Sequence, residues 1–146
     1  MNAGTRPAAV AFMLASAASM PIAHAGGAER VPAAMRSTEI DWQTSPLDLD
    51  LRGMNGERYL FHCAPGKPLP SRVIGSGPYT DDSSICSAAV HAGAIGAKDG
   101  GDVTIEIRPG EAQYVASDRN YIRSSAYAHA WSGSFVVLRK DTAHTP

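Results

Sequence analysis

The sequence predicts an α+β domain built around one short, buried helix. Two observations carry the prediction. One stretch near the middle of the chain combines capping residues with an uncharged run of alanine, serine, valine and glycine, and short runs of alternating apolar and polar residues lie on both sides of it. Alternation with a period of two marks strands that bury one face, whereas apolar residues spaced three and four apart mark a helix.

The helix is expected within Tyr79-Thr-Asp-Asp-Ser-Ser-Ile-Cys-Ser-Ala-Ala-Val-His-Ala-Gly-Ala-Ile95. Asp82 or Ser83 offers a side-chain oxygen to the orphan amide hydrogens of the first turn. The acidic pair Asp81-Asp82 suits the positive end of the helix dipole, and Gly93 or Gly96 supplies a left-handed residue to close the helix. With residues about 100° apart, Ile85, Cys86, Ala88, Ala89, Val90, Ala92, Gly93 and Ala94 cover most of the circumference, and Ser84, Ser87 and His91 share the remaining seam. A surface helix would show a broad charged face. No charge follows Asp82 in this segment, so the helix is expected to be wrapped by the rest of the chain.

The strands follow from the flanking patterns. Ile40-Asp-Trp-Gln-Thr44 and Leu47-Asp-Leu-Asp-Leu-Arg52 alternate, and Asn55-Gly56 turns the chain into a returning strand, Arg58-Tyr-Leu-Phe-His-Cys63. The segment 64–71 holds three prolines and reads as a loop, followed by a short strand, Arg72-Val-Ile-Gly75. Beyond the helix, Lys98-Asp-Gly-Gly-Asp102 is a polar turn, Val103-Thr-Ile-Glu-Ile-Arg108 alternates, and Gln113-Tyr-Val-Ala116 is a further short strand. Ser117-Asp-Arg-Asn120 carries turn chemistry, with Asn120 able to hold a left-handed conformation. Gly133-Ser-Phe-Val-Val-Leu-Arg139 is the last strand, and residues 141–146 form a frayed tail.

The N-terminal part has the pattern of a secretory signal peptide over residues 1–25. Arg6 precedes an apolar run from Ala8 to Ala18, and Ala23-His24-Ala25 fits the small-x-small cleavage pattern. The apolar run is too short for a bilayer span, so no transmembrane segment is expected after cleavage. Residues 26–39 read as a flexible lead-in and 40–140 as the domain, about 100 residues and enough for one core. The chain carries a formal charge of −1, and loss of Arg6 gives −1 − 1 = −2. Its cations are scattered, which argues against a nucleic-acid partner, since phosphate binding needs clustered cations. Cys63 and Cys86 are the two cysteines of the chain. In an exported protein an even pair reads as a disulfide, ahead of two buried thiols or a metal pair lacking the usual close ligand spacing.

These motifs resemble the LCCL domain. The helix segment, Gly100-Gly-Asp-Val-Thr-Ile-Glu106 and Pro109-Gly110 carry the resemblance, together with Phe61-His-Cys63, Tyr114-Val-Ala-Ser-Asp-Arg-Asn120, Ser124 and Ser132-Gly-Ser-Phe135. The similarity runs from about Leu51 to Leu138. It implies an extracytoplasmic module, periplasmic or secreted, whose one helix is enclosed by short strands in two sheets. It also implies a binding or adhesion role, with lipid, lipopolysaccharide or polysaccharide ligands proposed for the family. Animal members often carry further cysteines, one of them a few residues after the position of Cys63. That place falls near Lys67 here, so one bridge is expected, in the manner of a bacterial single-domain member.

Candidate ligand-contact residues are Tyr79, Asp81, His91, Arg119, Asn120, Tyr121, Arg123 and Trp131. Aromatic rings stack on apolar sugar faces, and arginine reads anions. Against that, most rings are expected to pack the sheets onto the helix, Tyr79 and Tyr114 ahead of Tyr127. The Ser84/Ser87/His91 seam raises a hydrolase reading, but no G-x-S-x-G context accompanies it, and a hydrogen-bonded structural histidine is favoured. Asp81-Asp82 and Asp99/Asp102 read as a cap and a solvated turn rather than metal sites, so neither a metal nor a cofactor is expected. The reading that results is a non-catalytic module for an envelope glycan, lipopolysaccharide or lipid head group. Its rival is a module that docks to an envelope or secreted protein.

Overall fold

The helix is the part that everything else packs around. The computed structural model describes residues 36–66 and 71–140, all within one structural unit. The expected signal peptide, most of the lead-in, part of the proline loop and the tail lie outside the described residues. Helix α1 (Ile85–His91) is buried at all seven positions, which matches the absence of charge along it. Its N-cap is Ser84, whose hydroxyl accepts from the Ser87 amide. This corrects the expected Asp82 or Ser83. Asp81 is engaged by Arg52, Asp82 by Arg72, and the Ser83 hydroxyl by Thr80, so none of the three is free to cap. Gly93 closes the helix at φ +77°. The Gly93 amide donates to Val90 O and the Ala94 amide to Ala89 O, the two bonds of a Schellman motif.

A five-stranded sheet covers the helix in the order β1-β2-β4-β7-β3. Its strands are β1 (Thr38–Ile40), β2 (Arg58–Cys63), β3 (Tyr79–Thr80), β4 (Gly101–Pro109) and β7 (Gly133–Leu138). Strands β1 and β2 run parallel, while the β2–β4, β4–β7 and β7–β3 pairs are antiparallel. Alternation puts Phe61, Cys63, Val103, Ile105, Ile107 and Phe135 on the inner face, where they form the core with Ile85, Cys86, Ala88 and Ala89. Cys63 and Cys86 are bridged, S–S 2.05 Å, pinning β2 to α1. Chain close to this bridge has to be small: a Cβ on Gly100 would lie 2.2 Å from Cys63 O. A separate two-stranded hairpin pairs β5 (Asp118–Arg119) with β6 (Ile122–Arg123).

Four expected strands differ. Residues 47–52 are a succession of turns, and the Leu-Asp alternation there is a local effect. Ser45 and Asp48 cap each other: the Ser45 amide donates to Asp48 Oδ2 at 2.9 Å and the Asp48 amide to Ser45 Oγ at 3.2 Å. Such side-chain bonds compete with a ladder. The run starting at Ile40 shifts to Thr38–Ile40, inside the expected lead-in, because Asp41 Oδ1 accepts from the Gln43 amide and turns the chain. The short strands expected at 72–75 and 113–116 shrink to isolated bridges at Ile74, Gly75 and Tyr114.

Candidate functional site

The eight candidate residues fall into three places. Tyr79 and His91 are in the core, at 1% and 0% exposure. The Tyr79 hydroxyl lies 2.9 Å from His91 Nδ1, and His91 Nε2 lies 3.1 Å from Ser117 O and 3.2 Å from Ser117 Oγ. The pair ties α1 to β3 on one side and to the root of the β5–β6 hairpin on the other. Burial pushes the Tyr79 phenol up to about 12, although Arg119 and Arg139 pull against it. Tyr79 is thus a neutral hydrogen-bonding group, and Tyr114 is buried with it while Tyr127 is half-exposed. The Ser84/Ser87/His91 seam does not assemble a serine–histidine pair. Ser84 Oγ donates to Trp42 O, and Ser87 Oγ bonds Ser71 Oγ.

Asp81 and Trp131 form the second group, with Arg52. Asp81 is 1% exposed. It accepts from Arg52 Nε at 2.7 Å, Arg52 Nη2 at 2.8 Å and Trp131 Nε1 at 2.8 Å. The Arg52 guanidinium also lies 5.6 Å from the centre of the indole ring. Burial alone would raise the Asp81 carboxyl, but the Arg52 and Trp131 bonds hold it below the usual carboxylate range. Neighbouring chain is fitted to this carboxylate, since a Cβ on Gly133 would lie 2.0 Å from Asp81 Oδ2. Trp131 also packs edge-on against Tyr127, with ring centres 5.8 Å apart. Trp131 thus clamps the buried carboxylate of the Arg52–Asp81 pair.

The third group is the hairpin, which brings Arg119, Asn120, Tyr121 and Arg123 together. Arg119 pairs with Ile122, so the loop has two residues, Asn120 and Tyr121, with φ of 49° and 66°. Positive φ at both central positions is the requirement of a type I′ turn, where Asn-Gly is the favoured sequence. Asn120 fits, and its side-chain amide donates to His91 O at 3.0 Å, anchoring the turn to the helix end. Tyr121 breaks the rule. A non-glycine residue in the left-handed region costs on the order of 1 kcal/mol, yet this one throws a fully solvent-exposed ring off the tip. Arg119 donates to Ser76 O, and Arg123 grips Asp118 through two bonds of 2.9 and 3.0 Å. Arg123 thereby holds the Asp118 carboxyl below its usual range. Asn120, Tyr121 and Ile122 also wall a cleft of about 780 Å³ whose other side is the loop 93–98.

Residues 40–135 match the family model described as the LCCL domain. The chain belongs to the LCCL domain family. Among characterised relatives it is similar to cochlin of Cavia porcellus, 42% identical over 78 residues, covering 53% of this chain and 14% of cochlin. It is also similar to human cysteine-rich secretory protein LCCL domain-containing 2, 40% identical over 65 residues, covering 44% of this chain and 13% of the relative. Vitrin of Bos taurus is 34% identical over 80 residues, covering 54% of this chain and 12% of vitrin. The chain therefore spans only about an eighth of each of these relatives' length. Among the described residues no helix is long and apolar enough to cross a membrane.

Sequence patterns missed two participants in these sites, Arg52 and the loop 93–98. Arg52 was hidden in an apparent strand, and Asp81 lies 29 positions away from it. The cleft wall at 93–98 read only as the helix closure and the start of the polar Lys98–Asp102 turn. The strain at Tyr121 was legible in part, since Asn120-Tyr121 separates two short extended pairs, but nothing in the string marks Tyr121 as left-handed.

Proposed function

We propose that this LCCL domain is an exported, non-catalytic binding module, periplasmic or secreted, that recognises an envelope glycan, lipopolysaccharide or lipid head group through its β5–β6 hairpin. The observation that carries this reading is Tyr121. An aromatic ring held wholly in solvent on a conformation that glycine would adopt more readily contributes nothing to the core. Backbone strain of this kind gathers at functional sites, where it serves presentation. Arg119, two positions before the ring, adds a cation with one bond to Ser76 O, while Arg123 is paired with Asp118 on the other face of the hairpin. An aromatic ring near an arginine suits sugar faces and anionic groups. Export is supported by the signal-peptide pattern, by the Cys63–Cys86 bridge, which belongs to an oxidising compartment, and by the word "secretory" in the name of one relative.

The test is binding of the purified domain to envelope fractions, before and after protease digestion of the fraction. Saturable binding that survives digestion, and that Tyr121→Ala weakens by about tenfold or more without loss of thermal stability, is the expected result. Unaltered binding by Tyr121→Ala overturns the hairpin assignment. Binding that vanishes with digestion overturns the glycan and lipid classes in favour of a protein partner.

A further inference from the structure

The loop 93–101, which follows the helix, separates two clefts of opposite character. On one side lies the cleft of about 780 Å³, walled by Val90, Ala94, Ile95 and Ile122, with Lys98 as the one charged side chain lining it. On the other lies a cleft of about 700 Å³ lined by Arg58, Arg139 and Lys140 together with Asp99 and Asp102. Gly93, Ala94, Ile95 and Gly96 line both, so one short ridge divides the clefts, with Ala94 and Ile95 packed down onto the core.

We infer that the two clefts together take one amphiphile, a hydrocarbon chain on the apolar side and an anionic head group on the cationic side. This deepens the hairpin reading and rests on it, since Tyr121 and Ile122 border the apolar cleft. The charges on the polar side are unequally engaged. Three cations, Arg58, Arg139 and Lys140, outnumber two carboxylates, Asp99 and Asp102, and Asp102 is hydrogen-bonded to His62 at 2.8 Å. Arg58 reaches Glu106 through Nε, and Arg139 reaches Ala92 O through one Nη. A guanidinium carries five donors, so both arginines keep N–H groups for a phosphate or carboxylate, and Lys140 adds a third cation. On the apolar side a hydrocarbon chain would remove the half-buried Ala94, Ile95 and Ile122 from water. A glycan would leave these apolar walls unmatched, and a small inorganic anion would leave the larger cleft empty. Both volumes lie within the range that buries a drug-sized ligand.

The experiment measures affinity for octyl, decyl and dodecyl phosphate, each below its micelle-forming concentration, with dodecyl maltoside and inorganic phosphate as controls. Each buried methylene is expected to tighten binding up to about fourfold, so affinity should climb steeply along the series. Dodecyl maltoside should bind about tenfold more weakly than dodecyl phosphate, as loss of one charge-assisted contact would produce, and inorganic phosphate should compete poorly. Ala97→Glu, which sets a carboxylate in the wall of the apolar cleft, should weaken every alkyl ligand. Arg139→Gln should narrow the difference between phosphate and maltoside. Equal affinity along the chain series overturns the inference, as does equal binding of maltoside or of inorganic phosphate. The series is read on the unmodified protein and so does not depend on either variant folding. Envelope binding that needs Tyr121 but is not displaced by dodecyl phosphate removes this inference and leaves the hairpin reading standing.

Discussion

Replacing Asp81 with asparagine probes the ion pair in which a buried carboxylate meets the half-exposed Arg52. Asp81→Asn keeps the shape and one acceptor for the Trp131 indole. It removes the charge that receives two Arg52 bonds of 2.7 and 2.8 Å and sets an amide NH₂ against the guanidinium. Hydrogen bonds to a charged group contribute about 1.5–3 kcal/mol each. The Arg52 side chain is 37% exposed, so its freed guanidinium recovers part of its hydration and the lower end of that range applies. The expected loss is about 3 kcal/mol, below the upper end for breaking a fully buried pair. For a domain of this size that lowers Tm by roughly 15 °C. The pH dependence supplies a second readout. Because the folded carboxyl sits below its ordinary value, its contribution is complete above the unfolded value near 4 and is lost as pH falls through the lower folded value. The gap between wild type and Asp81→Asn should therefore be full at neutral pH and close below about pH 4. Urea titrations followed by circular dichroism across that range measure it. A gap under about 1 kcal/mol at neutral pH, or one that persists unchanged into acid, would refute the reasoning.

Two further outcomes follow from the core. Reducing Cys63–Cys86, which closes a 23-residue separation, should cost about 3 kcal/mol in the chain-entropy model, read as a lower urea midpoint under reductant; coincident midpoints would contradict it. Tyr79→Phe should leave His91 Nδ1 without its hydroxyl partner and destabilise by about 1–2 kcal/mol in the same titration, and a neutral result would show that the Tyr79–His91 bond adds nothing.

What was legible in the sequence divides along a physical line. Features set by solvent contrast were readable: the uncharged helix and the alternation in β4. Strand β2 was readable from the Asn55-Gly56 turn before it, and the bridge from an even cysteine pair in a chain expected to be exported. Gly93 as the helix closure and Asn120 as a left-handed residue were also readable, because each is a local backbone requirement. Features set by which polar groups meet were not. Residues 47–52 alternate like a strand, yet the reciprocal Ser45–Asp48 cap bends them into turns. The spacing Ser45-Pro-Leu-Asp48 was the available signal, a variant of the capping box. Asp82 looked like a cap and became the partner of Arg72, which moved the cap to Ser84. Of the candidate residues, Arg119, Asn120, Tyr121 and Arg123 share one hairpin because they are neighbours in the chain. Tyr79, Asp81, His91 and Trp131 are polar or aromatic groups with internal partners, and those partners are 12 to 50 positions away.

The most direct test of the central claim is a paired measurement on Tyr121→Gly, thermal stability and affinity for envelope fractions in one preparation. Glycine relieves the left-handed strain at φ 66° and removes the exposed ring. If the hairpin tip is kept strained in order to present that ring, Tm should stay level or rise while binding falls by about tenfold or more. Binding at the wild-type level would contradict the claim, leaving Tyr121 as a strained residue without a role in recognition.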